Sequence, residues 1–289
     1  MTFAGWTLDP LWLPAAILVL AAYARAWRAA AGAHSPWRAA AFAAGVAVVL
    51  AVAVTPIEHL GNRVLWINFL GFLLLTMVAP PLLLLGAPLT LAFRVASPAG
   101  RRRLRALYRS RLAAVLTFPV FTWLLFAVLT YLWQFTRLTD LAAEHWLLRD
   151  FQLASLLLTG LLFWMPALAI DPARWRLPYP LRALYVFVEM THKALFGGMF
   201  LSMNTAMHSG FAARAPAWAP DPITDQRIAI MILWLAGNII FVAALAAIVV
   251  GWIRYEARNQ RRIDRRLALQ REVERRRRAA LEQVFHRPI

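Results

Sequence analysis

The chain has 289 residues, 61% of them hydrophobic and 16% charged, too apolar for soluble domains to cover their own surface, so one polytopic membrane bundle is the economical reading. Basic residues outnumber acidic ones by 31 to 14, a net charge of +17 at pH 7, and every basic residue except Lys193 is arginine. The absence of cysteine excludes disulfides, thiolate metal sites, iron–sulfur clusters and cysteine nucleophiles, so soft-metal chemistry would have to use His or Met.

A helix crosses a bilayer core with roughly 20 apolar residues, and seven runs approach that length: Leu11–Trp27, Ala39–Pro56, Val64–Leu85, Leu112–Phe135, Phe151–Ile170, Leu181–Met203 and Ile228–Trp252. Arg25, inside the first run, must snorkel toward the headgroups. The chain opens Met1-Thr2-Phe3-Ala4 and reaches Asp9 before any base, unlike a secretory signal, so the first run is expected to stay. These runs predict an all-α membrane protein, a seven-helix bundle over residues 1–253 followed by a basic tail over 254–289.

The arginines sort by alternate loops. One side takes Arg25, Arg28, Arg38, the seven Arg from Arg94 to Arg111, Arg174, Arg176, Arg182 and the twelve Arg from Arg254 onward. The other takes Arg63, Arg137, Arg149, Arg214 and Arg227. The positive-inside rule then predicts an outer amino terminus and a carboxyl terminus in the cytoplasm.

The tail interleaves its arginines with Ile263, Leu267, Val273 and Leu281 at helical spacing, and reads as a solvated helix lying near the membrane. Anionic headgroups suffice as its partner, and the same holds for Arg101, Arg102, Arg103 and Arg105, so no nucleic-acid partner is expected. No phosphate loop or dinucleotide fingerprint occurs.

The sixth run carries Glu189, His192 and Lys193, each charge costing roughly 2.5–3.5 kcal/mol at a helix centre on insertion scales. Glu189 and Lys193 stand four apart, predicting an internal ion pair with His192 beside it. The cluster reads either as a proton or ligand site or as a neutralised contact that fixes packing. Met199, Met203 and Met207 recur every four residues and His208 follows. Thioethers and imidazole suit Cu(I), which makes this line a candidate metal site, yet Met also fills packing gaps. His59 and His145 fall in outer loops beside Glu58 and Glu144, and His34 and His286 read as ordinary cytoplasmic residues. Pro80-Pro81 interrupts the third run and predicts a bend. Ser155, Ser202 and Ser209 lack a nucleophile-elbow context.

The runs Met77-Val78-Ala79-Pro80-Pro81-Leu82-Leu83-Leu84-Leu85-Gly86-Ala87-Pro88 and Thr159-Gly160-Leu161-Leu162-Phe163-Trp164-Met165-Pro166, with Asp225-Gln226, Trp234 and Gly237-Asn238, resemble the seven-helix CtaG-type family of cytochrome c oxidase assembly factors. Trp6-Thr7-Leu8-Asp9-Pro10 and Thr55-Pro56-Ile57-Glu58 fit the same pattern, so the resemblance runs from Trp6 to about Glu256. It implies a non-enzymatic protein of the bacterial cytoplasmic (inner) membrane that helps build a haem–copper oxidase by acting on the nascent catalytic subunit, with a link to copper delivery. It also implies membrane histidines where this chain has Asn68 and Phe72, Gln134, and Arg149 and Leu153, none of which replaces imidazole as a copper ligand. Two other readings stand beside it: an accessory or structural subunit of a respiratory complex, and a proton-coupled transporter centred on Glu189, His192 and Lys193.

Overall fold

The computed structural model describes residues 2–3, 6–7, 9–30, 32–172 and 174–285. Met1, Ala4, Leu8 and His286, named above, lie outside the described residues, as does the side chain of Leu281. A two-rung antiparallel pair, β1 (Thr2–Phe3) with β2 (Trp6–Thr7), precedes a chain that is otherwise helical. The helices are α1 (Trp12–Ala29), α2 (Pro36–Val54), α3 (Pro56–Gly61), α4 (Leu65–Leu73), a π turn (Leu74–Val78), α5 (Ala79–Leu85) and α6 (Pro88–Val95). There follow α7 (Pro98–Arg109), α8 (Arg111–Leu116), α9 (Pro119–Phe135), α10 (Leu138–Glu144), α11 (Trp146–Leu168), α12 (Tyr179–Leu201) and α13 (Ser209–Arg214). Last come α14 (Pro222–Met231), a second π turn (Ile232–Ala236) and α15 (Gly237–Phe285). Pro36, Pro56, Pro88, Pro98, Pro119 and Pro222 stand in first turns, where a missing amide breaks no helical bond.

Among the described residues, four helices are long and apolar enough to cross a membrane: Pro36–Val54, Leu65–Val95, Trp146–Leu168 and Pro222–Arg275. A fifth joins them if Pro119–Phe135 and Leu138–Glu144, bent by 70°, count as one broken span. This is an all-α membrane protein with four to five candidate spans against the seven apolar runs. α1 and α12 coincide with the other two runs, but Arg25 and Arg28 dilute the first and Glu189, His192 and Lys193 the second.

Leu65–Val95 is the most buried of the four. α2 lies along it so closely that a Cβ on Gly45 would meet the Leu83 amide nitrogen at 2.9 Å. In hydrocarbon no hydrophobic force drives helices together, and such small-residue contacts let backbones approach and gain dispersion energy instead. α11 packs across the rod's π turn, α12 lies on α15, and α14 on α4. The expected bend at Pro80-Pro81 takes a different form: the rod widens into a π turn just before the prolines, which then occupy the first turn of α5.

Connecting segments meet at two ends. At one, Arg94 donates to the Ala33 carbonyl, Tyr108 to the Pro172 carbonyl at 2.6 Å, and Arg174 to the Arg109 carbonyl at 3.0 Å. At the other, Arg214 reaches Glu144 at 2.6 Å and the Asn62 carbonyl at 3.2 Å. The basic tail is helical and continues the last span on the same helix: α15 runs unbroken from Gly237 to Phe285, because the tail's Arg, Glu, Gln and Ala are good helix formers and no Gly or Pro interrupts residues 254–285. One sequence expectation needs correcting here. His34 is buried, its Nε2 lying 3.0 Å from both the Tyr23 hydroxyl and the Gly86 carbonyl.

Candidate functional site

The motif residues form one lock. Pro80 has no amide, so the Thr76 carbonyl one turn earlier loses its helical partner. The Trp164 indole donates to that carbonyl at 3.0 Å. Gly160, one turn before Trp164 on α11, faces the same place: a Cβ there would lie 2.7 Å from Pro80 Cγ and 2.9 Å from the Thr76 oxygen. The Ala-Pro-Pro and Leu-Phe-Trp runs are thus two halves of a contact, the first freeing an acceptor and the second supplying donor and clearance. Pro81, on the same turn, is half-buried.

Lys193 sits beside the lock. Its ammonium donates to Met77 Sδ at 3.2 Å and lies over the rings of Phe126 and Phe241, 5.4 and 5.6 Å from their centroids. The expected Glu189–Lys193 ion pair is absent among the described residues. Glu189 instead meets His192, three residues on, at 3.3 Å from Nδ1, while its second oxygen has no partner. Lys193 is drawn off by the thioether and the two aromatic faces. The tie is therefore between Glu189 and the imidazole, and the lysine is caged. A cavity of about 10 Å³, the room one water takes, is lined by Thr130, Gln134, His192, Lys193, Gly197 and Trp234. Gln134 is fully buried and neither end of its side-chain amide has a protein partner.

The methionine line is not one face. α12 ends at Leu201, with Ser202 as its cap, so Met203 and Met207 lie in the segment beyond it and Met199 is 46% exposed on the helix. His208 is buried, with Nδ1 3.3 Å from Asp140 Oδ2 and Nε2 3.0 Å from the Gln134 carbonyl. Both of its nitrogens are engaged.

At the same end Asp225 and Gln226 act as remote anchors. α4 starts just after Val64, whose side chain offers no cap, and the Asp225 carboxylate accepts the Leu65 and Trp66 amides at 2.9 Å each. Gln226 accepts the Met207 amide at 2.9 Å, holding the segment after α12. The opposite end uses the same device: Asp171 accepts the Thr90 amide at 2.8 Å and its hydroxyl at 2.7 Å, capping α6. Back at the end that holds Asp225, Arg149 is buried, donates to Gln152 at 2.8 Å and lies 4.0 Å from Glu58. Asn68 donates to the Gly61 carbonyl at 2.9 Å. Arg149 and Asn68 both flank Gly61. Asn68, Gln134 and Arg149 are all buried polar residues toward this end, whereas Phe72 and Leu153 belong to the apolar core. Arg101, Arg102, Arg103 and Arg105 stand on α7, which buries none of its residues.

A family model described as cytochrome c oxidase caa3 assembly factor, Caa3_CtaG, matches residues 18–255, the bundle and both halves of the lock. The chain belongs to the Caa3_CtaG family. Uncharacterized proteins of Mycobacterium bovis and Mycobacterium tuberculosis are each 28% identical over 272 residues, covering 90% of this chain and 41% of theirs. One from Mycobacterium leprae is 30% identical over 276 residues, covering 91% and 42%. The chain thus spans about two-fifths of the length of these relatives. No solved structure matches it.

Asp171, Arg149, Gln152 and His34 went unnoticed as anchors in the sequence. Asp171 directly follows the fifth apolar run, and an acid between a span and a proline is the signal that marks it.

Proposed function

We propose that this protein is a non-enzymatic assembly factor for a haem–copper oxidase, holding the nascent catalytic subunit within the membrane while it is completed. The observation that carries this reading, beside the family, is the character of the interior. The cluster around Lys193 opens on about 10 Å³ and the space beside His208, Asp225 and Gln226 on about 60 Å³, volumes for water and not for an organic substrate. What surrounds them is a set of internal ties that stiffen a scaffold. Deleting the gene and recording haem–copper oxidase activity and spectra tests the proposal; unchanged oxidase levels overturn it.

The donors present do not fit a resident copper ion. His208 has both nitrogens engaged and Met199 is parted from Met203 and Met207 by the helix end. No group of three or more His, Cys, Asp or Glu capable of holding a metal occurs among the described residues. The copper link in this reading belongs to the client. Metal content after Cu(I) loading, compared between the native chain and Met203→Leu/His208→Ala, checks it; an equimolar copper lost in the variant refutes it.

The same proposal includes seven crossings over residues 1–253, an outer amino terminus, and a cytoplasmic tail over 254–289. Its support is that the arginine-rich segments, at Arg94, Arg109 and Arg174, touch one another, while the arginine-poor ones meet at Arg214. Reporter fusions after Glu144 and after Phe285 are expected to report opposite sides, and the same side for both refutes it.

A further inference from the structure

At the arginine-rich end, the segment leading into α12 and the turn of α15 from Trp252 to Glu256 enclose a groove of about 420 Å³ lined by Arg176, Arg182, Tyr179, Trp252, Tyr255 and Glu256. We propose that this groove is a specific binding site for the headgroup of an anionic phospholipid, a phosphodiester.

The groove is built and does not collapse onto itself. Tyr179 packs against Gly251, where a Cβ would lie 3.1 Å from the ring, and its ring stands 5.6 Å from that of Tyr255. The Arg182 guanidinium stacks over the Tyr179 ring at 4.7 Å, and its Nε donates to the Leu177 carbonyl at 2.7 Å. That fixes the plane of the guanidinium fork on the groove wall, and a fixed fork is suited to binding phosphate oxygens in pairs. Arg176 is exposed, and neither arginine is paired with an acid among the described residues. Glu256 is the one acid on the wall, and its carboxylate accepts the Trp252 indole at 3.0 Å. The first turn of α12, a helix of 23 residues, carries neither an acid nor a capping side chain, which adds its positive end to the field.

The lipid assignment comes from the surroundings. Trp252, Tyr179 and Tyr255 are the residue types that settle at a membrane–water interface, and α12 continues from the groove with Leu181, Leu184 and Phe187 exposed, an apolar face for acyl chains. Basic pockets between helices at this depth take anionic headgroups.

The full chain, purified in mild detergent, is offered equimolar phosphatidylglycerol and phosphatidylcholine of matched acyl chains, and retained lipid is read by native mass spectrometry. One phosphatidylglycerol retained in preference by roughly tenfold or more is expected. Arg176→Gln/Arg182→Gln is expected to abolish the preference, and Arg102→Gln/Arg103→Gln to leave it intact. The exposed Arg176→Gln alone, which breaks no contact of the fold, is expected to reduce it. A preference that survives the first double change, or that is lost with the second, overturns the proposal. So does displacement of the lipid by millimolar inorganic phosphate, which would make the groove a site for a soluble anion.

Discussion

Replacing Gly160 by alanine isolates the contact on which the two motif runs converge. The added Cβ would stand 2.7 Å from Pro80 Cγ and 2.9 and 3.0 Å from the Thr76 oxygen and Cα. A proline ring and a backbone cannot swing aside, so α11 has to withdraw from the rod by about half an ångström or more. Overpacking of this kind costs about 1–3 kcal/mol. The same withdrawal stretches the 3.0 Å bond from Trp164 to the Thr76 carbonyl, worth about 0.6–1.7 kcal/mol between membrane helices. Against this, alanine is favoured over glycine inside a helix by about 0.5–1 kcal/mol. The net expectation is a loss of about 1–3 kcal/mol, or a melting point lower by ~3–10 °C. Thermal unfolding in detergent, followed by fluorescence of the 13 tryptophans, measures it. Gly198→Ala is the control: a Cβ there meets nothing within 4 Å, so that variant is expected to melt at or slightly above the native temperature. If both variants melt alike, the lock does not bear on stability and the reasoning fails.

Trp164→Phe keeps the ring stack on Phe241 but leaves the Thr76 carbonyl without its donor, and a loss of about 1 kcal/mol is expected in the same melt. Asp225→Ala removes the acceptor for two amides at the start of α4; a loss of about 1–2 kcal/mol is expected, with faster amide exchange at Leu65 and Trp66, and unchanged exchange refutes the capping role. Lys193→Met exchanges a caged cation for a similar apolar chain while leaving Glu189 tied to His192, so stability equal to or above the native is expected; a loss beyond about 2 kcal/mol shows instead that Glu189 depends on the lysine.

The helices themselves were legible because a run near 20 apolar residues leaves a chain in hydrocarbon no option other than a helix. What escaped the sequence lies in contacts that are far apart along it. Nothing near Leu65 announces that its amide is met by an acid 160 positions later, nor that Thr90 is met by Asp171. Trp164 and Pro80 were visible as motif residues, but their relation through the freed Thr76 carbonyl required the packing of α11 on the rod. The methionine line failed for a local reason that was readable: Ser202, Asn204 and Thr205 are poor helix formers, and the four-residue spacing of Met199, Met203 and Met207 lost its meaning where α12 stopped. Lys193 misled because spacing names the nearest acid and says nothing of a thioether from another helix.

The unbroken course of α15 also sets how far its charges can act. At 1.5 Å per residue, the stretch from Arg254 to Phe285 reaches about 48 Å when it leaves along its own axis. At physiological ionic strength electrostatic influence fades over about 8 Å. On that course only the first turn or two past Arg254 would sense a phospholipid surface, and the charge farther along the helix would be felt by whatever diffuses past it in solution.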